Sequence, residues 1–93
     1  MVANYETMVV FSVAQGEESA KALMEKFREM IEKNGTLESI DEWGKRKLAY
    51  AINDEPDGYY AIFNYSCEPE FPAELDRVFK ITDGVLRSLI IRK

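Results

Sequence analysis

Residues 17–35 read Glu17-Glu18-Ser19-Ala20-Lys21-Ala22-Leu23-Met24-Glu25-Lys26-Phe27-Arg28-Glu29-Met30-Ile31-Glu32-Lys33-Asn34-Gly35. Ala20, Leu23, Met24, Phe27, Met30 and Ile31 recur at three- and four-residue spacing with Glu and Lys between them, which predicts an amphipathic helix over 17–34. Glu17 and Glu18 suit the positive end of the helix dipole, and Lys33 suits the negative end. Asn34-Gly35 predicts a left-handed stop.

On either side of this helix the apolar period drops from 3.6 to 2. Upstream, Asn4 to Val13 contains Tyr5-Glu6-Thr7-Met8-Val9-Val10-Phe11, rich in β-branched and aromatic residues, and stops at Gln15-Gly16. That composition predicts a central strand. Downstream, Thr36 to Ile52 reads as one long extended segment with room for a bulge or bend at Gly44. Asp54 to Gly58, with Pro56 inside, predicts a loop, and Tyr59 to Cys67 a third strand. Glu68-Pro69-Glu70-Phe71-Pro72 leads into a short helix burying Leu75, Val78 and Phe79. A turn at Thr82-Asp83-Gly84 then precedes a last strand over Val85 to Lys93, with Leu86, Leu89, Ile90 and Ile91. The order β-α-β-β-α-β predicts an α+β, ferredoxin-like split βαβ fold. Right-handed crossovers place both helices on one face of a four-stranded antiparallel sheet, leaving the other face open for function.

Composition narrows the function classes. Ninety-three residues, 46% apolar and 12% aromatic, suit a single domain over 1–93 with one core. With only 3 Pro and 5 Gly the chain has no linker or low-complexity stretch. Cys67 is the sole cysteine, so an internal disulfide and a thiolate metal cluster are ruled out, and a small core residue in a reducing compartment is expected. The amino terminus lacks the pattern of a secretory signal and no apolar run is long enough to span a membrane, which predicts a cytoplasmic protein with no membrane partner. A net charge of −5 opposes attraction of the whole molecule to nucleic acid, so any RNA contact must be local.

Catalysis finds little to work with. The chain has no histidine, no Gly-rich phosphate loop, and no base placed to activate Cys67. The pairs Glu17-Glu18 and Asp41-Glu42 have no apolar pocket to shift them. No catalytic, cofactor-binding or metal site is expected, and no small-molecule substrate. Ser12-Val13-Ala14-Gln15-Gly16 is not the phosphate cradle that an acylphosphatase-like enzyme of this fold would need.

Binding finds more. Asp41-Glu42-Trp43-Gly44-Lys45-Arg46-Lys47-Leu48-Ala49-Tyr50 packs charges of both signs and an aromatic ring into one strand, where alternation keeps the charges from all entering the core. Such a strand resists edge aggregation, or recognises a macromolecule, or does both. Arg87, Arg92 and Lys93 join Lys45, Arg46 and Lys47, so half of the 12 basic residues fall in two short segments suited to phosphate contact. Gly58-Tyr59-Tyr60-Ala61-Ile62-Phe63-Asn64-Tyr65 matches the aromatic signature of RNA recognition motifs poorly, with Asp57 where a base is wanted, so Tyr59, Phe63 and Tyr65 are expected to pack inside the fold.

Taken together, Tyr5-Glu6-Thr7-Met8, the segment Asp41 to Tyr50, Gly58-Tyr59-Tyr60, and Arg77-Val78-Phe79-Lys80-Ile81-Thr82-Asp83-Gly84-Val85-Leu86-Arg87 resemble the bacterial small-subunit ribosomal protein six family over Tyr5 to Lys93. The resemblance implies a non-enzymatic structural constituent of the small ribosomal subunit. It also implies binding to the central domain of 16S ribosomal RNA as a heterodimer with small-subunit ribosomal protein eighteen. Carried onto this chain, Asp41, Glu42, Trp43, Arg46 and Arg87 are the expected partner-facing residues. Asn4, Tyr5, Lys45, Lys47, Arg92 and Lys93 are the expected RNA contacts. The competing expectation is a ferredoxin-like interaction or small-ligand-sensing module using the open sheet, since fold alone does not fix function.

Overall fold

The computed structural model describes residues 2–52 and 55–93, with side chains for all of these except 49–52. Its elements are β1 (Ala3–Ser12), α1 (Glu17–Asn34), β2 (Gly35–Ile52), β3 (Glu55–Cys67), α2 (Phe71–Ile81) and β4 (Val85–Arg92). The strands lie in the order β2-β3-β1-β4, and every neighbouring pair is antiparallel. This is the ferredoxin-like arrangement predicted from the element order.

Alternation sorts the side chains of the two central strands. Tyr5, Thr7, Val9 and Phe11 of β1 and Tyr59, Ala61, Phe63, Tyr65 and Cys67 of β3 are buried together with Ala20, Met24, Phe27 and Ile31 of α1 and Phe71, Leu75 and Phe79 of α2. Both helices therefore cover one face. Phe27 anchors this layer, its ring 4.5 Å from that of Phe79 and 6.2 Å from that of Phe11. A fully buried phenylalanine stabilises the fold by roughly 1.5–3 kcal/mol. Cys67 lies free inside the core, where burial pushes its thiol pKa up and keeps it protonated.

Two local expectations need correction. Gly35 is not a left-handed helix stop: its φ is −174°, and it pairs at once with Cys67 as the first residue of β2. Its lack of a side chain serves a close approach instead, because a Cβ there would overlap the Ser66 carbonyl oxygen and sit 2.8 Å from Cys67 Cβ. The end of α1 is closed by Asn34, whose Nδ2 donates to the Met30 carbonyl at 2.8 Å. Within the predicted loop, residues 55–58 belong to β3, while Asp54 lies outside the described residues. Ser12↔Gly58 is the last β1–β3 pair, so among the described residues β2 is the only strand beside 55–57, a setting in which Pro56 costs little. The turn at Thr82-Asp83-Gly84 forms as expected, with Gly84 at φ 96° and Thr82 Oγ1 donating to the Val78 carbonyl.

Candidate partner and RNA interface

The face away from the helices is built row by row from the strand register. The first row runs from Gly44 and the neighbouring Trp43 on β2 through Tyr60 and Val10 to Arg87. Next come Asp41, Ile62, Met8 and Leu89, then Ser39, Asn64, Glu6 and Ile91. Arg46 lies beyond the first row, opposite Gly58. Apolar residues thus occupy the second face of β1, β3 and β4 as well as the core face. Trp43, Leu89 and Ile91 stay 47%, 48% and 49% exposed. Apolar surface gathered this way and rimmed by charge is the anatomy of a protein interface.

A bulge aims the tryptophan. Glu42 pairs with Ala61 and Gly44 with Tyr60, which leaves Trp43 as the extra residue, and Gly44 takes φ 76° to allow it. The Trp43 ring stacks on Tyr60 with centroids 6.1 Å apart and an interplanar angle of 16°. At the hairpin end of the same face, Val10 and Leu48 close over Gly58, where a Cβ would overlap Val10 Cγ1 and lie 3.3 Å from Leu48 Cδ2. Val10 and Leu48 are buried there, 1% and 8% exposed.

Of the five residues expected to meet a protein partner, Asp41, Trp43, Arg46 and Arg87 share the open face. Glu42 takes the other side of β2, where the Tyr59 hydroxyl donates to its Oε1. The residues expected to meet RNA divide into two places. Lys45 and Lys47 flank Arg46 on β2 opposite Tyr59 and Asp57. Asn4, Arg92 and Lys93 gather at the far end of the sheet, where the Lys93 amide donates to the Asn4 carbonyl at 2.9 Å and Lys93 Nζ reaches Asn64 Oδ1 at 2.7 Å. Tyr5 is only 5% exposed, its ring stacked on Tyr65 at 5.9 Å, so its ring belongs to the core.

The ion pairs among the described residues all lie on the helices, where they take up three of the six basic side chains, Lys21, Lys26 and Lys33 having none. On the helices, Arg28 pairs with Glu25 and Glu32, Arg77 with Glu74, and Lys80 with Asp76. The hydrogen bond from Arg77 holds the Glu74 carboxyl below its ordinary range. On the sheet, Lys45, Arg46, Lys47, Arg87 and Arg92 form no ion pair among the described residues; Arg46 makes one hydrogen bond, to the Lys45 carbonyl. Unpaired cations keep their full capacity for an external anion.

Sequence reasoning missed Met8, Tyr60, Ile62, Leu89 and Ile91 as surface residues of this face. A signal was present, since Met8 and Val10 alternate with Val9 and Phe11, and Tyr60 and Ile62 with Ala61 and Phe63. Strands apolar on both faces are strands covered on both faces.

Among the described residues no helix is long and apolar enough to cross a membrane. The model of the family Ribosomal protein S6 matches residues 4–92. Small ribosomal subunit protein bS6 of Clostridium novyi is 51% identical, with 95% of this chain and 94% of that protein aligned. The protein of the same name from Thermoanaerobacter pseudethanolicus is also 51% identical, over 96% of this chain and 95% of its own length. The crystal structure of 30S ribosomal protein S6 from Thermotoga maritima superposes with a TM-score of 0.92 at 25% identity, covering 100% of this chain and 89% of that one. The open, charge-rimmed sheet is therefore that of a structural protein of the small ribosomal subunit rather than of an enzyme, and the chain belongs to the ribosomal protein S6 family.

Proposed function

We propose that this chain binds the central domain of 16S ribosomal RNA together with small-subunit ribosomal protein eighteen, and that the pair aids assembly of the subunit. The observation that carries this reading is the open sheet face itself, whose apolar side chains are bordered by Arg46 and Arg87, cations that form no ion pair among the described residues. Asp41, Trp43, Arg46 and Arg87 face the partner protein, with Glu42 reaching it from the strand edge. Lys45, Lys47, Arg92, Lys93 and Asn4 meet phosphate.

The net charge of −5 supplies the mechanism. Alone, the chain has no long-range field to draw RNA, and its sheet cations act only over a Debye length of about 8 Å at physiological salt. Docking a basic partner on the open face adds the missing positive field, so tight binding requires both proteins. The test is a salt-controlled titration of central-domain RNA with this protein, with and without protein eighteen. Tight binding only with the partner is expected. Equally tight binding by this chain alone overturns the cooperative reading, and no binding in either mixture overturns the RNA role.

A further inference from the structure

β4 has β1 as its only strand neighbour among the described residues, so its other side is a free edge. The Lys93 amide donates to the Asn4 carbonyl, which makes Asn4 and Lys93 an opposed pair whose backbone groups point at each other. Alternation then turns Arg87, Leu89 and Ile91 toward β1, and Ser88, Ile90 and Arg92 toward the edge. Those three residues present N–H and C=O groups at strand spacing, and no hydrogen bond to them comes from another described residue. Over Arg87–Arg92 the pairing with β1 is unbroken, the one slip lying before it, at Val10/Phe11. The opposite edge of the sheet differs. β2 slips against β3 at three places and carries charges of both signs, features that keep an edge from accepting a strand.

Two observations bear on what the β4 edge accepts. β4 reads Val85-Leu86-Arg87-Ser88-Leu89-Ile90-Ile91-Arg92, with cations and no acid, and Lys93 follows. Beside its first half lies an open cleft of about 330 Å³ lined by Phe79, Lys80, Val85, Leu86, Arg87 and Ser88. Ser88 lies on the helix side of the sheet, opposite Val9, so a side chain set beside Ser88 by an added strand enters that cleft. We infer that the free edge of β4 takes an extended, acidic segment of another protein as an additional antiparallel strand, with carboxylates opposite Arg87 and Arg92. Ser88, Ile90 and Arg92 then form about six new backbone hydrogen bonds, two per residue. A second copy of this chain fits poorly, because two β4 edges paired about Ile90 set Arg87 of each against Lys93 of the other. A nucleic acid offers charge to Arg87 and Arg92 but no alternating row of N–H and C=O groups to the backbone. The added strand leaves the open face uncovered and competes for Arg92 with the phosphate contact proposed above.

The test is amide hydrogen exchange of the full chain, read residue by residue by NMR. In the free protein the Ser88, Ile90 and Arg92 amides are expected to exchange at least tenfold faster than those of Leu89 and Ile91. A short capped peptide, with Glu opposite Arg87 and Arg92 and Val or Thr between, is expected to slow the three edge amides at least tenfold. Methylating the peptide nitrogen opposite Ile90, which points at β4, is expected to abolish the effect. Methylating the one opposite Leu89, which points away, is expected to leave it. Lysine in place of both Glu residues is expected to weaken binding at least tenfold. Ser88→Pro deletes an edge N–H and no β1–β4 bond, so it is expected to lose the peptide while far-ultraviolet circular dichroism stays native. Should that variant not fold, the two methylated peptides decide.

Equal binding of the two methylated peptides overturns the inference and leaves charge attraction alone. So does the same protection by a short RNA, which assigns the edge to nucleic acid. Protection that grows with protein concentration in the absence of peptide assigns it to a second copy of this chain. Edge amides that exchange at the same rate with and without millimolar peptide overturn the inference as well.

Discussion

Thr7 Oγ1 and Tyr65 Oη lie 2.7 Å apart on neighbouring strands, hydrogen-bonded inside a core whose other buried side chains are apolar or aromatic. Thr7 is 0% exposed and Tyr65 is 0% exposed, so neither hydroxyl has access to water in place of the other. Removing one strands its partner. Tyr65→Phe and Thr7→Val are each expected to cost about 1–3 kcal/mol, the penalty for a buried polar group left unsatisfied. The double variant removes both groups and is expected to lose less than the sum of the two. Urea unfolding of the four proteins checks this; strict additivity would mean that the two hydroxyls are not coupled.

The same tyrosine gives the fold an alkaline weakness. Burial pushes the Tyr65 hydroxyl up to about 12 from 10.0, and its hydrogen bond with Thr7 offsets only part of that rise. The folded state therefore holds this proton more tightly than the unfolded chain does. The resulting stability is fully present below pH 10.0 and is lost as the pH rises through about 12. Burial raises the Cys67 thiol in the same sense, so Cys67 is kept in every protein compared. Unfolding free energy is expected to fall over this interval, and the fall is expected to be shallower in Tyr65→Phe. Matching slopes would remove Tyr65 as the cause.

Three glycines separate three physical demands. An alanine at Gly35 meets backbone, the Ser66 carbonyl, which cannot move without breaking the β2–β3 ladder. An alanine at Gly58 meets the side chains of Val10 and Leu48, which can shift. An alanine at Gly44 meets nothing within 4 Å, yet it must hold φ 76°. Overpacking costs roughly 1–3 kcal/mol and left-handed backbone roughly 1–2 kcal/mol. The expected order of destabilisation is Gly35→Ala, then Gly58→Ala, then Gly44→Ala, read from urea midpoints. Only Gly44→Ala is also expected to disturb Trp43 emission in the folded protein, because its strain falls on the bulge that aims the ring.

How far this could be read from sequence depends on how many strand neighbours a segment has. The α1 spacing and the alternation in β1 and β3 were legible because each is held by a buried face, and burial is what imposes a period. The start of β3 was not: Glu55-Pro56-Asp57-Gly58 has the composition of a turn, and it is extended because it pairs with β2 in an arm that β1 does not reach. For the candidate site, the family resemblance singled out Asp41, Arg46 and Arg87, whereas the face of each residue on β2 could not be counted off by twos. The register slips at 37/39 and at 42/44 reset the alternation, and the second puts Arg46, five residues along, on the same face as Asp41. Which cations form no ion pair among the described residues could not be read from sequence either, because that is a property of the assembled layers.

Arg46 is where folding and binding separate most cleanly. It is exposed, forms no ion pair among the described residues, and makes its one described hydrogen bond to the adjacent Lys45 carbonyl at 3.3 Å. Nothing in the fold depends on its charge, so Arg46→Glu is expected to change unfolding free energy by less than about 0.5 kcal/mol. If the open face meets protein eighteen, the same change places an acid in the rim of the interface. At least a tenfold loss of affinity is then expected, about 1.4 kcal/mol. Because the contact lies at the exposed rim, that loss should shrink as salt is raised. Lys21→Glu is the matched control, an exposed cation on the helix layer that also has no ion pair among the described residues; it should leave both quantities unchanged. Paired urea unfolding and calorimetric binding decide the matter: equal loss of affinity in the two variants would mean that the protein's overall charge matters and the face does not, and a loss of folding in Arg46→Glu would return the residue to the fold.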